Sequence, residues 1–229
     1  MQMKVIHCFW SGGPKTRRAQ ACLASWRRFA PDWEIREWSP ADLPPDLPPF
    51  CADALRARKW AMVSDWVRMW ALYEQGGVYL DLDVELVKPI ALLPESEWVS
   101  GEWTVNGAVW MNPGSGLALE KGSPIAAEML ARYERLVFDP AREMMVWINE
   151  NLHAIAKTHA LNVLPPEVMS PIDNAGRMHR TEKTVGIHWY AMSWAGPKAR
   201  ILQWISWHGG RPLIDALLKV KRMLTGRRP

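Results

Sequence analysis

The sequence predicts a single α/β domain with a mostly parallel central sheet, and three observations carry that expectation. Residues 5–10, 15–29 and 33–38 read as strand, helix and strand, the opening order of a doubly wound sheet. Behind Gly76-Gly77, residues 78–82 form an apolar run with the β-branched and aromatic character of a central strand. The chain has 229 residues, 48% of them hydrophobic, enough for one sizeable core.

Each element follows from local pattern. Val5 to Trp10 is apolar and ends at the turn Ser11-Gly12-Gly13-Pro14. Ala19, Cys22, Leu23 and Trp26 fall at helical spacing within 15–29, and Pro31-Asp32 stops that helix. Residues 33–38 alternate as a second strand. Five prolines between Ser39 and Pro49 exclude regular structure there and leave a surface loop. Residues 50–75 are helical, with a break near Arg58. In the second part Trp60, Val63, Val67, Trp70 and Ala71 make one stripe, while Met62, Trp66 and Met69 lie outside it. A helix apolar nearly all round is buried. Further on, 98–101 and 107–111 read as strands, 123–138 and 141–158 as helices, 161–164 as an edge strand and 185–190 as a late strand. Residues 211–224 pattern as a basic amphipathic helix. Residues 1–210 therefore form the body of the domain and 211–229 a basic tail.

The chemistry centres on Asp81 and Asp83. On a strand, residues two apart share a face, with α-carbons roughly 7 Å apart. Two such carboxylates repel each other at the end of an apolar run, and a divalent cation removes that cost. The carboxyl end of a strand in an open α/β sheet is also where ligands bind. Asp65 and Arg68, three apart on the buried helix, share a face and need partners. Trp10 ends the first strand beside a Gly-Gly turn, where a base or ribose could stack. His188 leaves the late strand and could complete a metal shell, or could be a satisfied core histidine. Residues 102–106 border the same region, and Asn106 is either part of a pocket rim or half of an ordinary turn with Gly107. His7, His153 and His179 show no metal-like spacing.

The run Gly-Gly-Val-Tyr-Leu-Asp-Leu-Asp over 76–83, with Ala61, Ser64-Asp65 and Arg68 upstream, resembles the signature of glycosyltransferase family 32. That family includes capsule-type transferases and mannosyltransferases and is related to the core of the large clostridial glucosylating toxins. The resemblance begins at Ile6 to Gly13, continues through Ser25-Trp26 and 35–38, is densest over 59–85, and returns at Ile187-His188 and Ser193-Trp194. It implies a GT-A type fold and metal-dependent transfer of a sugar from a UDP- or GDP-sugar to a glycan or lipid-linked acceptor hydroxyl. It further implies Mn²⁺ or Mg²⁺ on Asp81 and Asp83, with His188 as a third ligand. Asp65, Arg68 and Tyr79 would hold the sugar and phosphates, Trp10 the base, and Trp194 would cap the diphosphate. Retention of anomeric configuration is part of what it implies.

Composition excludes several classes. The net charge of +4 divides unevenly: from Lys198 onward eight Lys/Arg face one acid, Asp215, giving the tail +7 and the remainder −3. A near-neutral body argues against a nucleic-acid binder. Leu213, Ile214, Leu217 and Leu218 oppose Lys219, Lys221 and Arg222, a pattern suited either to docking on the domain or to an anionic membrane surface. Three cysteines without Cys-x-x-Cys spacing are expected as free thiols in a reducing cytosol. No run reaches ~18 apolar residues, and the first residues read as a strand, not a leader. There is no Gly-x-Ser-x-Gly and no P-loop, and Glu85 stands where an Asp-x-Asp-x-Thr phosphatase needs Thr. Two rivals remain: a carbohydrate-binding protein without turnover, suggested by 15 tryptophans, and a metal-dependent nucleotidyl or phosphoryl transferase.

Overall fold

The computed structural model describes residues 4–104, 107–142 and 144–191. Strand β1 (Val5–Phe9) leads to helix α1 (Arg17–Phe29), which starts where Thr16 accepts a bond from the Ala19 amide and ends on Arg27 and Arg28. Those cations complement the helix dipole. Strand β2 (Glu34–Trp38) follows. The proline-rich loop then holds one short 3₁₀ turn, Pro40–Asp42, because Ser39 and Asp42 cap each other. Helix α2 (Pro49–Arg56) and helix α3 (Trp60–Gln75) are separated at Arg58, which has a φ of 53°. The break expected there is real.

Gly76 ends α3 with a φ of 69°, and a Cβ there would meet the Lys121 amide nitrogen at 2.7 Å. Only glycine fits. Strand β3 (Gly77–Tyr79) is shorter than the expected 78–82. The chain leaves it at Leu80, turns through Leu82 and Asp83, and re-enters as strand β4 (Val84–Leu86). Beyond lie β5 (Trp98–Trp103), β6 (Val109–Met111), β7 (Leu117–Leu119), α4 (Pro124–Glu134), α5 (Met144–Ala156), β8 (Asn162–Leu164), α6 (Pro166–Met169) and β9 (Gly186–His188).

The main sheet runs β2-β1-β3-β7-β5-β6, with β8 also paired to β5. Strands β1, β2, β3, β5 and β8 point one way, and β6 and β7 run against them. The fold is a mixed α/β domain of mostly parallel sense. A separate antiparallel pair, β4 and β9, sets Val84 opposite His188. Strand alternation divides the core in two. Tyr79, Val99, Leu117 and Leu119 face α2 to α5, while Val78, Leu80, Trp98 and Ala118 face α1 and α6. The Ser25-Trp26 pair also finds its purpose. Trp26 Nε1 donates to Val84 O (2.7 Å) and Ser25 Oγ accepts from Leu86 N (2.9 Å), tying α1 to the strand after the acidic turn.

Strands β4 and β7 and helix α6, each three or four residues long, are findings the sequence pattern did not supply. The tail over 211–229, with Trp194, lies outside the described residues, as does Asn106.

Candidate functional site

The site gathers where β1 and β3 end at one edge of the sheet. Asp81 and Asp83 do not sit on a strand. They flank a tight turn closed by Val84 N donating to Asp81 O (2.9 Å). The turn, not a two-residue strand period, brings the carboxylates together. Leu80 N still bonds His7 O (3.0 Å) and Asp81 N bonds Gly114 O (2.9 Å), so the sheet holds the turn's entry. Gly114 lies so close that a Cβ would come within 2.3 Å of Asp81 Oδ2.

Asp81 faces α3. Arg68 donates through Nη2 to Asp81 Oδ1 (3.3 Å) and through Nη1 to Asp65 Oδ1 (3.0 Å). Both ends of the Asp65–Arg68 pair are buried, as the all-round apolar helix required, and the Arg68 guanidinium lies 4.8 Å from the Tyr79 ring centre. Tyr79 itself is fully buried beneath it. Burial pushes Asp65 up to about 6 against the pull of Arg68. Burial likewise holds Asp81 above the usual carboxylate range, and Asp83 adds to it while Arg68 opposes. Among the described residues, Arg68 Nε is buried without a hydrogen-bond partner. A buried donor left unpaired is costly, and a bound anion would satisfy it.

Asp83 faces β9. Its Oδ1 lies 3.2 Å from His188 Nε2 and its Oδ2 accepts from Ala191 N (2.7 Å). Burial alone would raise Asp83, but the His188 charge and these bonds hold it below its ordinary value. Burial alone would lower His188, yet Asp83, Asp81 and Glu102 together hold it above. On its other side His188 Nδ1 meets Ser115 Oγ at 2.7 Å. With Nδ1 engaged there, Nε2 is the nitrogen turned to the carboxylates. One ligand atom each from Asp81, Asp83 and His188 lies within 4.8 Å of the others. Two carboxylates and an imidazole suit a divalent ion such as Mn²⁺, and Ser115 supplies the partner that a metal-bound histidine needs on its far nitrogen.

Three residues of this neighbourhood went unread in the sequence: Asn112, Gly114 and Ser115. Asn112 Oδ1 accepts from the amides of Gly114 (3.0 Å) and Ser115 (3.2 Å), shaping the loop that carries Ser115. The signal was the run Asn112-Pro113-Gly114-Ser115-Gly116, dense in turn residues just before an apolar triplet. Glu102, expected at the rim, is near the site: its Oε2 accepts from Asn112 Nδ2 (2.6 Å) and the Tyr190 hydroxyl (3.1 Å). Trp10 lies at the same sheet edge, half-buried, its indole N–H donating to Gly13 O (3.0 Å). His7 is structural: Nε2 donates to Gly76 O (2.8 Å) and Nδ1 accepts from Trp38 (3.1 Å).

Residues 16–102 match the family described as the glycosyltransferase sugar-binding region containing a DXD motif. That match supports a transferase. Among solved structures, the chain is similar to the PaToxG glycosyltransferase, at 16% identity over 69% of this chain and 70% of that one, with a TM-score of 0.52. A glycosyltransferase involved in glycosylation of the major capsid of PBCV-1 aligns at 12% identity over 88% of this chain and 98% of that one, with a TM-score of 0.46. No curated protein matches the sequence. At such identity the first likeness bears on the fold, which is of the GT-A type. The matched region holds Asp65, Arg68, Asp81 and Asp83, whereas Ser115 and His188 lie beyond it.

Proposed function

We propose that the protein transfers a sugar from a nucleotide diphosphate donor to an acceptor hydroxyl, with a divalent ion held by Asp81, Asp83 and His188. The observation that carries this reading is the convergence of those three ligand atoms within 4.8 Å, beside a buried arginine whose Nε is unpaired among the described residues. A bound Mn²⁺ or Mg²⁺ would supply Lewis-acid stabilisation of the departing diphosphate. Arg68 adds a fixed positive charge next to it, held by Asp65 and supported from below by Tyr79. Asp65 also offers its carboxylate to donor sugar hydroxyls. Trp10, at the end of β1, gives a flat surface for the base or ribose, and Asn106 and Trp194 are assigned to the donor by the family resemblance.

In the step itself the bond from the anomeric carbon to the phosphate oxygen breaks, and its electron pair leaves with the nucleoside diphosphate. The acceptor oxygen bonds to that carbon and its proton passes to the leaving phosphate. This front-side course retains configuration. The acceptor is a glycan or a lipid-linked sugar, the latter suiting a membrane role for residues 211–229. Among the described residues no helix is long and apolar enough to cross a membrane.

The test is product analysis. The purified enzyme with Mn²⁺ and a panel of UDP- and GDP-sugars should release nucleoside diphosphate, and chelation should stop it. Release of nucleoside monophosphate would point to a nucleotidyl or phosphoryl transferase instead. Sugar binding with no release would leave a carbohydrate-binding protein.

A further inference from the structure

The β5–β6 pair rises above the sheet edge where the site lies. Strand β3 stops at Tyr79, which pairs with Leu117, and Leu117 pairs with Val99. Strand β5 continues four residues past Val99 to Trp103, so its end stands ~13 Å above the end of β3. One face of this wall belongs to the core: Met111 is buried and its amide is held by Asn149 Oδ1 (2.7 Å). The other face carries Glu102, Trp110 and Asn112. Glu102 and Trp110 are opposite each other in the antiparallel register, which puts their side chains side by side on one face. Asn112 is two residues on and shares that face.

This second face looks onto the site. Tyr190, whose ring centre is 4.0 Å from that of His188, donates its hydroxyl to Glu102. Asn112 donates to the same Glu102 oxygen, Oε2, and its own Oδ1 holds the loop carrying Ser115. Glu102 is thus fixed through one oxygen, and among the described residues Oε1 makes no hydrogen bond. Burial holds this carboxyl above its ordinary range. Next to it Trp110 leaves 39% of its surface exposed. An indole that large gains nothing from solvent, and the flanking core did not absorb it.

We propose that Trp110 and Glu102 form the subsite for the acceptor saccharide, with the indole stacking on the apolar face of a pyranose ring and Glu102 Oε1 accepting from a ring hydroxyl. The inference rests on the transferase reading of the neighbouring site, and it commits to a sugar acceptor, not a protein side chain. A planar aromatic beside one oriented polar group matches a ligand that has both C–H faces and hydroxyls. Its position on the wall above the Asp81–Asp83 turn sets the acceptor against the donor and away from the Arg68 side, where the diphosphate belongs.

The experiment combines saturation-transfer NMR and kinetics on the full chain. Methyl α-D-mannopyranoside, methyl α-D-glucopyranoside and methyl β-D-galactopyranoside serve as probes, and donor binding is followed by the Mn²⁺-dependent thermal shift with UDP-glucose and GDP-mannose. In Trp110→Ala the glycoside signal should vanish and the acceptor KM should rise about tenfold, while the donor-induced shift is retained. Trp110→Tyr should recover most of the loss. Glu102→Gln should raise the acceptor KM more than it lowers the donor-induced shift, since its charge also reaches His188. No glycoside signal in the wild type, an unchanged acceptor KM in Trp110→Ala, or equal loss of donor and acceptor binding overturns the subsite. A glycoside signal that the wild type gives and Trp110→Ala does not, with no nucleoside diphosphate released by the wild type, upholds the subsite and overturns the transferase reading.

Discussion

Two aspartate–histidine pairs occur among the described residues, and their chemistry diverges. Asp173 pairs with His179 at 2.9 Å, and Asp83 with His188 at 3.2 Å. Around Asp173 every partner is local: Oδ1 accepts from the amides of Ala175 and Arg177 (both 2.9 Å), and Oδ2 also accepts from Arg177 Nε (2.8 Å). One carboxylate thus meets two amides, a guanidinium and an imidazole. Nothing is left over to bind a cation. At Asp83 the balance is reversed, because among the described residues Asp65, Asp81, Asp83 and Glu102 crowd around only Arg68 and His188. The partners there also come from across the fold, His188 and Ala191 being more than 100 residues from Asp83. A carboxylate saturated by its own loop has no capacity left for a ligand, whereas one crowded against other acids by tertiary contact keeps it.

The sharpest way to break this contrast is Asp83→Ala. Losing a metal ligand removes several kcal/mol of transition-state stabilisation, so turnover should fall by about 10³-fold or more. The protein should stay folded with a modest loss of stability, since Asp83 is held by His188 and the Ala191 amide while its removal relieves repulsion with Asp81. Steady-state assay with and without Mn²⁺ checks this, and normal turnover would sink the site assignment.

Arg68→Ala comes next. It strips the charge partner of buried Asp65 and half-buried Asp81, which should cost ~3–5 kcal/mol of stability and abolish donor binding. Donor titration corrected for the folded fraction separates the two effects. Unchanged affinity per folded molecule would make the arginine merely structural.

A smaller effect attaches to the far side of His188. Ser115→Ala should weaken Mn²⁺ binding about 10–100-fold by freeing the imidazole. Metal binding needs neutral His188, and its carboxylate neighbours hold that group above its ordinary value. Mn²⁺ affinity should therefore fall as pH drops through that raised value. Calorimetric titration at several pH values reads both, and a flat profile would count against His188 as a ligand.

Asp173→Asn should change turnover least and acid stability most. Burial alone would raise Asp173, but His179, Arg177 and the loop amides bring it down to about 2. A depressed carboxylate contributes stability above its unfolded value of ~4, and that stability is lost as pH falls toward 2. Melting curves between pH 6 and 2 should show the wild type losing more stability than the mutant, with equal transferase rates at neutral pH. Loss of metal-dependent activity in this variant would erase the contrast between the two pairs.

Much of the architecture followed from sequence alone, because it rests on local rules. Helical spacing gave α1 its buried face, and the all-round apolar character of 60–71 placed Asp65 and Arg68 inside. Gly76-Gly77 marked the end of α3, where a side chain would strike Lys121. The acidic pair at 81 and 83 stood out for its company of residues. What sequence could not supply was its geometry: three-residue strands lack a detectable period, and a turn replaced the expected strand. The family resemblance alone put His188 with the acidic pair, and nothing in the sequence connected Ser115 to it, because nothing local links residues so far apart in the chain. Those contacts exist only because β9 pairs antiparallel to β4 and the Asn112 loop passes beneath Asp81. The acids are written in the sequence, and the sheet's long-range pairing decides which of them meet.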